Sequence, residues 1–224
     1  LGDPLRVLRF TLARHLLHWP PVADSQDPDA ALMLRVKRGD AAAFEELVDK
    51  YKQPVINLLY RALPDASEAE DLAQSVFLQV YKSAHRYRPS AKFSTWLFTI
   101  ARNLCLNEIR RRSRHPADSL DAPHLEHGQE ARLQVREVSG PAPDVALVQE
   151  ELQQKVELAI SQLPENQRIA ILLCREEEVS YESIAEVLHC SLSATKSLIH
   201  RARETLKQKL KPYLRTGAWK DKPS

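Results

Sequence analysis

Apolar residues along this chain recur mainly at intervals of three and four, the spacing of amphipathic helices. Leu5, Leu8, Leu12, Leu16 and Trp19 form the first stripe, with Arg6, Arg9 and Arg14 off it, and Pro20-Pro21 ends it. Arg9 and Arg14 break the apolar stretch and no small-residue cleavage site follows, so a helix is expected here rather than a signal peptide. Val22 to Pro28 reads as a linker. From Asp29 to about Arg114 the helical pattern is dense. A first helix is expected to end at Gly39, and Asp40 to cap a second that carries Phe44, Leu47, Val48 and Tyr51 on one side. Pro54 is expected to kink or break it. Ser67-Glu68-Ala69-Glu70 has the form of a capping box, starting a helix that runs to about Ala84. Ser94 is the expected cap of a last helix, Thr95 to about Arg112.

Periodicity then lapses. Ser113 to Pro143 holds Pro116, Pro123, Gly128, Gly140, Pro141 and Pro143, too long an irregular stretch for the interior of a compact domain. Helical pattern resumes near Asp144 and continues to about Leu214, followed by a polar tail. No strand alternation or internal repeat is present. The predicted fold is all-α, with two helical domains joined by a flexible linker. The expected divisions are an extension at 1–28, a helical domain at 29–114, a linker at 115–145, a second helical domain at 146–214 and a tail at 215–224.

Composition supports this reading. The 224 residues include only 5 Gly against 14 Pro, which argues against barrels, sandwiches and glycine-rich nucleotide folds. No apolar run approaches the roughly 18 residues that span a bilayer. The 3 Cys (Cys105, Cys174 and Cys190) are odd in number and lack CxxC spacing, so neither a disulfide framework nor a zinc site is expected. They read as small buried hydrophobes in a reducing compartment.

Charge is unevenly placed. His85 to His115 holds eight Arg or Lys against Glu108 alone, net +7. His189 to Arg215 holds seven against Glu204, net +6. Ala62 to Ala84 holds four acids against Lys82, net −3. Two basic surfaces on two domains point to two contacts with a polyanion.

Two motifs carry these surfaces. Tyr181 to Arg203 fits a helix-turn-helix: Ile184, Ala185 and Leu188 face inward on the first helix, and the turn falls at His189 to Leu192. The second helix, beginning near Ser193, places Ser193, Thr195, Lys196 and Ser197 where short polar side chains approach base edges. His200, Arg201 and Arg203 follow where phosphates lie. Its plain structural alternative is a generic pair of packed helices. In the other motif, a helical wheel over Phe93 to Arg112 gathers Leu97, Ala101, Leu104 and Cys105 on one side and Trp96, Thr99, Asn103, Asn107 and Arg110 opposite. A basic, amide-rich face with an aromatic at its start suits single-stranded nucleic acid, and the loop Tyr87 to Phe93 offers a place for an unstacked base. The competing reading is that Phe93 and Trp96 are simply core.

At these residues the chain resembles a known family. Gly39 to Val48, Ala69 to Leu78, Phe93 to Leu97, Ile100 to Asn103 and Arg110-Arg111-Arg112 resemble region 2 of the extracytoplasmic-function (ECF), sigma-E-like sigma factors. Leu163 to Arg168, Tyr181 to Ala185 and His200 to Arg203 resemble their region 4. The resemblance implies an initiation subunit of bacterial RNA polymerase, without a catalytic site or cofactor of its own. Region 2 would bind the polymerase clamp and read and melt the −10 element; region 4 would bind the flap and read the −35 element. It implies clamp contacts from Glu70, Asp71, Gln74, Phe77, Leu78 and Tyr81. It implies −10 contacts from Tyr87, Arg88, Lys92, Phe93, Ser94, Thr95, Trp96, Arg102, Asn103, Asn107, Arg110 and Arg111. For the −35 element it implies Tyr181, Ser191, Ser193, Ala194, Thr195, Lys196, Ser197, Leu198, His200, Arg201 and Arg203.

The resemblance also implies promoter DNA and an anti-sigma factor as partners, a role in an envelope or stress response, and a cytoplasmic chain that an anti-sigma factor can hold at the membrane. Two positions depart from the family pattern. His189 stands where Gly is frequent; His is among the residues that tolerate positive φ best, so the turn is expected to survive. Leu198 stands where Arg is usual. It is expected to face DNA, where it cannot pair with the phosphate that an Arg would reach; the alternative is that it packs inward with Leu206. Rival functions fare less well. An ordinary regulator using the helix-turn-helix alone has no need of the 69–81 and 93–103 motifs. A nucleic-acid enzyme lacks support, because no HxE…CxxC, Walker loop or metal-ligand cluster is present.

Overall fold

The computed structural model describes residues 27–63, 68–114, 143–176 and 179–216, and the described secondary structure is helical. The amphipathic stripe at Leu5–Trp19, the Ser67 cap, residues 115–142 of the expected linker and the polar tail beyond Thr216 lie outside the described residues, while 143–145, expected as the end of that linker, are helical.

Helix α1, Pro28–Lys37, starts one residue inside the expected linker. Asp27 caps it by accepting from the Asp29 N–H at 3.1 Å, and Pro28 takes the first turn, where no N–H is needed. Gly39, at φ +94, ends the segment. Asp40 caps α2, Ala41–Ala62, accepting from the Ala43 N–H at 3.1 Å. That hydrogen bond and the Arg35 guanidinium hold the Asp40 carboxyl below its ordinary range. Of the two outcomes expected at Pro54, the break does not occur: α2 runs through it. Tyr51 before it and Val55, Leu58 and Leu59 after it are all buried, so both halves are held by the same core despite the missing hydrogen bond.

Helix α3, Ala69–Ser83, begins at Glu68, whose side chain makes no capping hydrogen bond. The Ser67 end of the expected capping box lies outside the described residues. Glu68 instead pairs with Arg112. A single 3-10 turn, Ala84–Arg86, follows. Helix α4, Phe93–Arg114, starts two residues earlier than expected, and Ser94 is buried within it rather than capping it. The Phe93 N–H donates to Asp27 Oδ2 at 2.7 Å, so the acceptor at this helix start comes from 66 residues upstream. In its first half α4 is buried at every position from Phe93 to Ala101 except Trp96, Thr95 and Thr99 included. It packs against α1, α2 and α3 and against a later helix, so a two-faced wheel does not describe it.

The C-terminal unit comprises α5, Pro143–Ser161; α6, Glu165–Leu173; α7, Tyr181–Leu188; and α8, Leu192–Thr216. Ser180 caps α7 by accepting from the Ser183 N–H at 3.1 Å. His189 takes the left-handed conformation, φ 54, that reverses the chain into α8, as the sequence predicts. Helix α8 continues through Pro212. Ile184, Val187, Ile199 and Ala202 fix the crossing of α7 and α8. The two units share one continuous apolar cluster: α7 lies against α4, and α6 against α2.

Candidate polymerase and nucleic-acid interfaces

Helix α3 presents an acidic surface that turns apolar toward its C-terminal end. Glu70, Asp71 and Gln74 are exposed. Beyond them, Leu78 is 53% exposed and Tyr81 55%. Phe77, expected among the contacts, is buried and faces the core. Val76 and Val80 also point inward, so the outer face is set by helical spacing alone. The Tyr81 ring rests on Phe44 of α2, centroids 5.1 Å apart, which fixes the direction in which it projects.

The expected −10 residues divide into a buried support and an exposed face. Tyr87, Phe93, Ser94 and Thr95 are buried, which corrects the expectation that they touch DNA. Tyr87 and Phe93 instead pack against Trp96, which is half-buried, with its ring 4.9 Å from Tyr87 and 6.0 Å from Phe93. The Tyr87 hydroxyl and Thr95 Oγ1 are buried without hydrogen-bond partners. Burial, with Asp27 and Asp29 nearby, pushes the Tyr87 phenol well above its ordinary value. Arg88, Lys92, Asn107, Arg110 and Arg111 are exposed, while Arg102 and Asn103 are half-buried. Glu108 accepts two hydrogen bonds from Arg111, at 2.8 and 3.0 Å, and one from Arg112 at 3.2 Å. These hold its carboxyl below the ordinary range and draw Arg111 along the helix.

Two residues that the sequence does not single out hold the 87–93 loop. Lys37 Nζ donates to the Tyr87 carbonyl at 2.9 Å, and Asp27 accepts from Phe93 at the other end. Helix α1 therefore staples both ends of the loop that precedes the basic face. Asp27 before Pro28 is recognisable as a cap, but nothing local marks its second partner.

On the helix-turn-helix, Leu192, Ser193, Lys196, Ser197, His200 and Arg201 line an open groove of about 700 Å³ along α8. Ser191 and Ala194 are exposed at its start, where Ser191 Oγ accepts from the Ala194 N–H at 3.2 Å. Thr195, expected at base edges, is fully buried; its hydroxyl donates to the Ser191 carbonyl at 3.1 Å and sits 3.1 Å from Cys190 Sγ. Leu198 is half-buried against the core, which favours the inward reading over the DNA-facing one. Its spacing from Ala202, also in the core, explains this. Tyr181 is half-buried beside Cys174, and Arg203 donates to Cys174 Sγ at 3.4 Å, so neither lines the groove.

Among the described residues there is no His, Cys, Asp or Glu cluster suited to a metal ion, and no helix long and apolar enough to cross a membrane. The Cys105 thiol is pushed up to about 12 by burial.

An acidic, partly apolar helix, a basic amide-bearing helix and a helix-turn-helix, in that order, define a two-part promoter-recognition subunit. Family models agree: residues 47–115 match Sigma-70 region 2, and residues 153–206 match Sigma-70 region 4. The chain is 38% identical over 195 residues to the RNA polymerase sigma-H factor of Pseudomonas aeruginosa, covering 85% of this chain and 98% of that protein. It is 36% identical over 179 residues to the ECF RNA polymerase sigma factor SigW of Bacillus subtilis, covering 79% and 94%. It is 34% identical over 191 residues to the ECF RNA polymerase sigma-E factor of Escherichia coli, covering 84% and 96%. The fold is shared with CnrH, solved with the cytosolic domain of CnrY (TM-score 0.60, 21% identity, 82% of this chain and 97% of that one). It is shared also with RpoE of Bartonella quintana, solved with the anti-sigma factor NepR (TM-score 0.58, 23% identity, 75% and 96%). The chain belongs to the ECF sigma factors of bacterial RNA polymerase, which are non-catalytic initiation subunits.

Proposed function

We propose that this sigma factor docks on the polymerase clamp through Glu70, Asp71, Gln74, Leu78 and Tyr81, with Phe77 supporting that face from within. The −10 element is read and opened by Arg88, Lys92, Trp96, Arg102, Asn103, Asn107, Arg110 and Arg111, over the buried platform of Tyr87 and Phe93. The −35 element lies in the α8 groove against Ser193, Lys196, Ser197, His200 and Arg201, with Ser191 and Ala194 at its start. The C-terminal unit also meets the polymerase flap. The protein works in the cytoplasm, where the polymerase is, and an anti-sigma factor controls its access, tethered to the membrane or soluble.

The observation that carries the reading is the presence of two basic helical faces, on α4 and α8, on opposite sides of a long linker in sequence. Strand opening needs no chemistry. Stacking on Trp96 and hydrogen bonds from Asn103 and Asn107 offset unstacking, which costs roughly a few kcal/mol per step. Asn103→Ala should slow opening of duplex promoter while sparing transcription from a template already mismatched at −10. Equal loss on both templates contradicts the assignment.

A further inference from the structure

We propose that Asp27 and Lys37 are positioning residues for the −10 element: by tying both ends of the 88–92 loop they set how sharply the protein discriminates among −10 sequences, although neither belongs to the set that meets DNA. The inference rests on the reading of α4 and its preceding loop as the −10 face. The loop carries the exposed cations Arg88 and Lys92 and leads into Trp96. Lys37 Nζ donates to the Tyr87 carbonyl at 2.9 Å, and Asp27 Oδ2 accepts from the Phe93 N–H at 2.7 Å. Both bonds go to backbone atoms, so they fix the course of the chain rather than one side chain. The rings of the same two residues are packed as well: Tyr87 lies 4.9 Å from Trp96, and Phe93 lies 5.3 Å from Tyr51 of α2. Helix α1 is a firm base for this grip. Asp29 is buried, and its carboxylate accepts from Lys50 Nζ at 2.7 Å and from the Tyr51 hydroxyl at 2.5 Å. Met33 and Val36 are buried in the core.

The Phe93 N–H is one of the first-turn donors that no carbonyl of its own helix can satisfy. An acceptor there fixes where α4 begins. Trp96 stands one turn further on, its own N–H bonded to the Lys92 carbonyl at 3.2 Å. Loss of either tie frees the loop to sample other courses, and each binding event must then order it again. General attraction for a DNA strand survives this, because charge acts at range and tolerates imprecise placement. Discrimination does not survive it, because hydrogen bonds to base edges need fixed geometry. The ties from α1 therefore act on the difference between right and wrong sequences more than on affinity for single-stranded DNA as such.

The test uses the full chain bound to core polymerase and a pool of single-stranded oligonucleotides randomised at the −10 positions. The readout is enrichment of the preferred sequence over the pool average. Loss of folded protein lowers binding to every member equally and leaves this ratio unchanged. In Asp27→Asn, Asn caps a helix as well as Asp does, but it has one carbonyl oxygen for two N–H groups, so either Asp29 or Phe93 goes unbonded. Lys37→Met, at an exposed position, removes the other tie while keeping a long unbranched side chain. One substitution deletes a negative charge and the other a positive one, so general attraction for DNA moves in opposite directions. Enrichment should nonetheless fall in both, by roughly three- to tenfold, the equivalent of one hydrogen bond. Enrichment equal to wild type in both variants overturns the positioning role and leaves the −10 reading intact. A fall in only one of them overturns the claim that both ends must be held. A wild-type chain that enriches no sequence from the pool overturns the −10 reading and this inference with it.

Discussion

Replacing Leu78 and Tyr81 together by Ser isolates the polymerase-binding role of α3 from its role in folding. Fully burying a Leu- or Phe-sized side chain stabilises by about 1.5–3 kcal/mol relative to leaving it exposed. Each of these residues still exposes about half its surface, 53% and 55%, so docking on the clamp gains about 1 kcal/mol from each. Removing both should cost about 2 kcal/mol, or roughly thirtyfold in affinity for core polymerase. Folding should suffer little at Leu78, whose outer surface touches solvent. At Tyr81 the substitution also removes the ring pair with Phe44, worth about 1 kcal/mol. The assay is competition of the labelled wild-type chain for core polymerase by each Ser variant, alongside thermal denaturation. A folded double variant that competes as well as the wild type refutes the assignment of this face.

Other outcomes follow from the same geometry. Asp27→Ala removes the acceptor for both the Asp29 and the Phe93 N–H groups, and should cost about 3 kcal/mol; calorimetry should show a melting point lower by roughly 6–12 °C, and a shift under about 3 °C contradicts the double role. Leu198→Arg should lower the melting temperature modestly, because the long side chain can turn its charge outward, and should leave the salt dependence of promoter binding unchanged. A log–log slope steeper by about 0.9 would restore the DNA-facing reading.

The helices were largely legible because periodicity and caps act locally. Asp40 before α2 and the positive φ of His189 both follow from residues adjacent in sequence. Failures occur where distant packing decides. Pro54 survives inside α2 because four buried residues hold the helix on both sides of it. Thr95, Thr99 and Thr195 look like surface polar residues, yet all are buried. The hydroxyls of Thr99 and Thr195 bond the carbonyl four residues earlier, which removes the need for water. The aromatic cluster of Tyr87, Phe93 and Trp96 was legible as a group, but its division into support and surface depends on how α4 threads between its neighbours. Docking of the two units was not legible at all. Arg168 of α6 donates to the backbone carbonyl of Ala62, 106 residues away, and no side-chain pattern marks that acceptor.

The central claim is that this chain confers promoter-specific initiation on a polymerase that lacks it. It is tested most directly by transcribing a library of templates, randomised at the −35 and −10 positions, with core polymerase from the same bacterium, with and without the purified chain. The account predicts transcripts that depend on the chain and are enriched for one −35 and one −10 sequence at a fixed spacing, with the −35 preference abolished when Lys196 and Arg201 are changed to Ala. Transcription that is absent, or that shows no sequence preference at either position, contradicts it.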